Sequence, residues 1–144
     1  MSVKNYDPAQ VDVIVAGILI EGYAAGTFVT VSRNSDTWKL KKGADGEGAR
    51  AKSNDKSGVV EITLLQSSAS NDALSALAAL DEASGDGVGP VLVKDRSGRS
   101  IHEGDACWVR KPADWEGAAE ISDRKWTIEV DDLFMFSGGQ LTKG

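Results

Sequence analysis

Apolar residues recur at every second position in short runs along most of this chain, and at helical spacing in only one place. Period-two alternation sends successive side chains to opposite faces of a strand, so each run can bury one face and wet the other. Val11, Val13 and Val15 alternate ahead of a turn at Gly17 and a short run to Ile20. Thr27-Phe-Val-Thr-Val-Ser-Arg33 is rich in the β-branched side chains that strands favour. Thr37-Trp-Lys-Leu-Lys41 alternates with one wet face. Val60, Ile62 and Leu64 form one face of 59–65, and Trp126, Ile128 and Val130 one face of 124–130. Further strands are expected at 91–94, 100–103 and 106–111, with a hairpin turn at Asp95–Arg99 and a last apolar run at Leu133–Phe136.

The one helix is expected over about 71–84. Ser70-Asn-Asp72 offers a capping group and an acid for the first turn. Ala73, Leu74, Leu77 and Leu80 follow at helical spacing, and Gly85 stands where a left-handed residue ends a helix. The fold class is therefore mainly β: a sandwich or small barrel of about eight short antiparallel strands with one flanking α-helix. A chain of 144 residues with 41% apolar residues suits one domain, residues 1–144, with a core of its own. The polar tail 137–144 is expected to be mobile in a free subunit.

Reaction chemistry has little to work with. Cys107 and His102 are the single residues of their kinds, too few for a zinc site of the usual make-up. Their odd spacing puts them on opposite faces of a strand unless Gly104 bends it, so a buried structural Cys107 is the simpler reading. Gly43 and Gly48 have phosphate-loop spacing, but Ala49-Arg50 stands where the lysine and hydroxyl are needed. No serine-hydrolase elbow and no calcium loop occurs. The acidic pairs Asp81-Glu82, Glu103/Asp105 and Asp131-Asp132 read as solvated surface or turns. No catalytic residue, cofactor or metal is expected. The N-terminal Met1-Ser-Val-Lys-Asn5 carries no apolar stretch, and the apolar run Val13–Ile20 is far short of a bilayer span, so a soluble chain made in the cytoplasm is expected.

Charge is more informative. The chain has 16 basic and 22 acidic residues, a net charge of −6, which argues against a general nucleic-acid binder. Residues 42–58 contain four glycines and no large apolar side chain. A loop of that length seldom persists in a compact domain without a task. Segment 37–58 holds six basic and three acidic residues; with −6 for the whole chain, the remainder carries −9. A basic flap bearing Lys42, Arg50, Lys52 and Lys56 on an acidic body is complementary to a second copy of itself. A merely solvated hairpin is the alternative.

The order of short features resembles the tail-tube proteins of contractile-tailed bacteriophages over almost the whole chain. The resemblance is carried by Tyr6-Asp-Pro8, Val11–Gly17, Gly22–Phe28, Val31–Arg33, Gly43–Gly46 and Lys52–Asn54. It continues through the strand to Leu65, Ser70–Leu77, Val93–Gly98 and Arg110–Asp114. It implies a fold similar to that of the type VI secretion inner-tube protein. It further implies hexameric rings stacked into a hollow tube, with the 42–58 loop reaching the neighbouring ring. Its implied partners are copies of itself, a contractile sheath, a tape-measure protein inside, and baseplate and terminator proteins at the ends. DNA would pass through without being specifically bound, and the product would be a virion component assembled in the host cytoplasm. Polar strand faces suit a water-filled lumen, and acidic ones repel phosphate. Asp12, Glu61, Thr63, Thr127 and Glu129 are the lumen-facing candidates. Two alternatives stand beside this: a tube subunit of a phage-derived bacteriocin or other injection system, and a monomeric β-sandwich whose tryptophans bind a ligand.

Overall fold

The computed structural model describes residues 3–143. In chain order the strands are β1 (Val3–Lys4), β2 (Val11–Val15), β3 (Ile18–Leu19), β4 (Val29–Arg33), β5 (Trp38–Lys42), β6 (Gly48–Lys52) and β7 (Gly58–Leu65). Helix α1 (Ser70–Ser84) follows, then β8 (Gly89–Asp95), β9 (Ile101–Val109), β10 (Asp123–Val130), β11 (Phe134–Phe136) and β12 (Thr142–Lys143). Eight of these make one antiparallel sheet in the order β3-β2-β8-β9-β10-β7-β4, with β11 beside β9.

Alternation sorts the faces as expected. Val60, Ile62, Leu64, Trp126, Ile128 and Val130 are buried against Leu74 and Ala78 of α1, together with Val13, Val15, Val91 and Val109. The helix lies on this face and closes the core. Its C-terminus ends at Gly85 with φ 73°, whose amide bonds the Asp81 carbonyl. Its start differs from the expected cap. Ala69 takes the N-cap position, and the Ser70 hydroxyl instead accepts from the Glu21 amide at 2.9 Å. The helix start is thus tied to the loop after β3.

The sheet does not close into a barrel. Its edge strands β3 and β4 are consecutive in the chain, and segment 20–28 crosses between them. That segment bonds β2 through Ile20 and β7 through Gly22, Ala24 and Phe28. This segment, rather than strand pairing, spans the gap between the two edges.

β9 is one nine-residue strand where the sequence suggested two. Gly104 admits a close approach rather than a break: a Cβ there would lie 2.4 Å from Val130 Cγ1 and 2.8 Å from the Asp132 carbonyl oxygen. The register with β8 slips between Gly89 and Val91, so that Gly89 faces Cys107 while Val91 faces Gly104. This bulge reverses the parity, and His102 and Cys107 both come to the core face. Five residues still separate them by roughly 16 Å along the strand, so they form no pair.

The C-terminal tail is strapped down rather than loose. Arg99 and Leu141 amides bond the Gly139 and Ser97 carbonyls, and β12 pairs with β1. Gln140 donates to Asp95 at 3.0 Å. Burial raises the pKa of Asp95, but the bonds from Ser97 and Gln140 outweigh it and hold the carboxyl below the usual range. Gly144 lies outside the described residues.

Candidate assembly surfaces

Residues 42–58 are not one extended loop. Their first part completes a hairpin in which β5 pairs with β6, apart from the main sheet. Gly43 and Glu47 close its turn through a bond of 2.8 Å. Trp38↔Lys52, Leu40↔Arg50 and Lys42↔Gly48 lie on one face, and Lys39↔Ala51 and Lys41↔Ala49 on the other. Every one of these ten residues is exposed. Leu40 is 65% exposed and Trp38 44%. A two-stranded ribbon with every strand residue exposed is marginal in water on its own.

The foot of the hairpin is held firmly. The Asp55 carboxylate accepts from the Ser57 hydroxyl at 2.6 Å, the Ser57 amide and the Ser35 hydroxyl. These bonds, Ser57 first, hold its pKa below the ordinary carboxylate value. Of the four basic candidates, Lys42, Arg50 and Lys52 share one hairpin face. Lys56 does not join them: it sits at the foot, where its carbonyl accepts from the Leu133 amide at 2.8 Å.

The five polar candidates fall together on the sheet face turned away from the core. Glu61 stands opposite Thr127 and Thr63 opposite Lys125, while Glu129 stands opposite Trp108. Asp12 lies on the same face opposite Lys94, across β8 and β9 from the others. Their acids are matched by cations. Lys125 Nζ is 3.1 Å from Glu61, Arg110 Nε 2.7 Å from Glu129, and Arg96 Nε 2.8 Å from Asp12. Trp108 Nε1 also donates to Glu129 at 3.0 Å. Each of the three candidate acids on this face is thus paired with a cation, so none of them stands as an isolated negative charge.

Sequence reasoning gave Arg124 no role and weighed Trp115 only among the tryptophans of a possible ligand site. Arg124 shares the parity of Trp126 and is buried at 7% exposure, whereas Trp115 is 77% exposed on the 110–122 connection. Parity along β10 was the signal for Arg124. Trp115 lies outside any repeating pattern, so no periodicity placed it beside Arg124.

Burial pushes the Cys107 thiol up to about 11 and lowers the pKa of His102, so neither is a primed reactive group. Among the described residues, no three of His, Cys, Asp and Glu gather as a metal site, and no helix is long and apolar enough to cross a membrane.

The described surfaces are thus an open sheet with its candidate polar residues on one face and a basic hairpin exposed on both of its faces. Residues 15–132 match the family described as bacteriophage PhiTE tail tube protein, and the chain belongs to that family. It is therefore a phage tail-tube structural protein, a virion component and not an enzyme. It is 29% identical to a structural protein, ORF10, of Pseudomonas phage KPP10, over 94% of this chain and 83% of that relative. Among solved structures it resembles the tube-terminating cap of the anti-feeding prophage. The TM-score is 0.58 with 6% identity, and the likeness covers 95% of each chain. That last likeness concerns the fold alone.

Proposed function

We propose that this subunit forms hexameric rings that stack into the hollow inner tube of a contractile phage tail, and that the tube conducts the genome into the host. A contractile sheath surrounds the tube in this reading. A tape-measure protein occupies the lumen during assembly, baseplate and terminator proteins bound the ends, and assembly takes place in the host cytoplasm. The number of subunits per ring follows from the family resemblance.

The observation that carries the reading is the hairpin Trp38–Lys52, which presents three cations beside exposed Trp38 and Leu40. It is a one-sided contact in search of an acidic, partly apolar partner, and the body of the next ring supplies the charge. Head-to-tail stacking of identical rings leaves such contacts open at both ends, which is how a filament grows. The polar sheet face with Glu61, Thr63, Thr127 and Glu129 lines the lumen, with Asp12 at its margin. Cations already paired with carboxylates on this face are weak holds for phosphate, so in this reading DNA slides rather than binds.

Sedimentation velocity of the purified chain over a wide concentration range tests the proposal. Large species above a threshold concentration are expected. A monomer at every concentration, with baseplate components present, contradicts it.

A further inference from the structure

The core face of β10 ends on a cation. Arg124 is 7% exposed and continues the row of Trp126, Ile128 and Val130. Its Nη1 donates to the Ser122 hydroxyl at 3.0 Å and to the Asp123 carbonyl at 3.4 Å. The guanidinium stands 5.8 Å from the centroid of the Trp115 ring. Among the described residues, no carboxylate lies within 4 Å of it. A guanidinium offers five donors, and these bonds use one nitrogen; the other N–H groups of this largely buried side chain open onto a cleft with no counter-charge beside them.

Arg124 lines a cleft of about 410 Å³ between the first turn of α1, Pro112–Trp115 and Trp126. The cleft also shows Ser75 and Gln66. Asn71 is spent: its amide nitrogen donates to the Leu65 carbonyl, and its oxygen accepts from Trp126 Nε1. Gln66 accepts from Ser122 through its oxygen, which leaves its amide nitrogen free to donate. Asp72 is the one acid lining the cleft, and it stays beyond ion-pair distance of Arg124. Indole walls, a hydroxyl, an amide donor and a fork of N–H groups facing the cleft suit a carboxylate on an apolar stem.

We propose that this cleft receives an acidic side chain from a second copy of the chain, whose carboxylate pairs with Arg124. The proposal rests on the assembly reading above. A neighbouring copy, with 22 acidic residues and a net charge of −6, has such side chains to present. The pairing supplies the counter-charge that the lone subunit lacks, so the contact is specific to the assembled state.

The test uses the full chain and the variants Arg124→Gln, Ser75→Glu and Asp72→Asn. Two readouts are taken: the melting temperature of the subunit and the concentration at which assembly begins. Arg124→Gln is expected to melt no lower than the parent and to raise the assembly threshold about tenfold or more. Ser75→Glu places a carboxylate in the cleft from the subunit's own helix. It is expected to raise the melting temperature and also the threshold. Glutarate, compared with chloride at equal ionic strength, is expected to raise the melting temperature of the parent but not of Arg124→Gln. That arm reads the site even if the parent never assembles, so failure of the assembly reading stays distinguishable. The proposal is overturned if Arg124→Gln assembles at the parent threshold. A Ser75→Glu variant with both readouts unchanged overturns it too. So do Arg124→Gln and Asp72→Asn variants that both melt well below the parent by a similar amount, which makes Asp72 the internal partner. Stabilisation by glutarate with no variant altering the threshold makes a free carboxylate the occupant and removes the second copy.

Discussion

The guanidinium of Arg50 lies 3.8 Å over the centroid of the Trp38 ring, on a hairpin whose strand residues are all exposed. An exposed cation–π pair contributes at most about 1 kcal/mol. Its larger effect is to hold two side chains of the kind that dominate interfaces in one fixed arrangement. Trp38→Ala and the double reversal Arg50→Glu/Lys52→Glu are therefore expected to raise the assembly threshold severalfold while leaving the monomer melt unchanged. Lys56→Glu is expected to do less, because Lys56 sits at the hairpin foot. Sedimentation and thermal melts of the three variants check this. An effect of Lys56→Glu as large as that of the double reversal would mean that bulk charge, not the hairpin face, matters.

Asn71 joins helix to sheet. Its oxygen takes the buried Trp126 Nε1–H at 2.9 Å, and its nitrogen bonds the Leu65 and Gln66 carbonyls. Asn71→Ala strands a donor in the core and is expected to cost about 1–3 kcal/mol in urea unfolding. Leu74→Ala, by comparison, removes a fully buried side chain and is expected to cost about 2–5 kcal/mol.

Cys107 is fully buried, and burial raises its pKa to about 11. Its thiol is expected to resist a disulfide reagent at pH 8 in the native subunit and to react at the rate of unfolding. A raised pKa favours the protonated form in the fold. The associated stability is present below the ordinary thiol value, near 8.5, and is lost as the pH rises toward 11. Cys107→Ala is expected to remove that alkaline loss, as read from melts between the two limits.

His102 shows the opposite sense. Burial lowers its pKa, and Nδ1 has no hydrogen-bond partner. The unfolded chain therefore takes up a proton from about pH 6.5 downward, where the folded one resists it. Stability is expected to fall as the pH drops through that range, and His102→Gln is expected to flatten the slope. Melts at pH 7.5 and 5.5 decide it; an unchanged slope in the variant would assign the pH dependence to carboxylates.

The sequence made the core legible wherever burial enforced alternation. Val60, Ile62 and Leu64 and their partners Trp126, Ile128 and Val130 had to share a face, and they do. Gly85 announced the helix end because few other residues accept a left-handed backbone. The bulge in β9 was not legible, since one extra residue leaves no local mark and yet reverses the face of everything beyond it. β6 was missed for a different reason: Gly48-Ala-Arg-Ala-Lys52 buries nothing, and pairing with β5 is fixed by the turn at 43–47. The polar face was found residue by residue, but its charge was not. Which cation meets Glu61 or Glu129 depends on strand register, and composition does not contain register. The strapped tail rests on Asp95 and Gln140, 45 positions apart, a distance no local pattern spans.

Negative-stain electron microscopy of the purified chain at increasing concentration addresses the central claim most directly. Hollow rods, or six-fold rings with an open centre, are the expected images. A field of single subunits at the highest concentration, unchanged by added baseplate, would contradict the account.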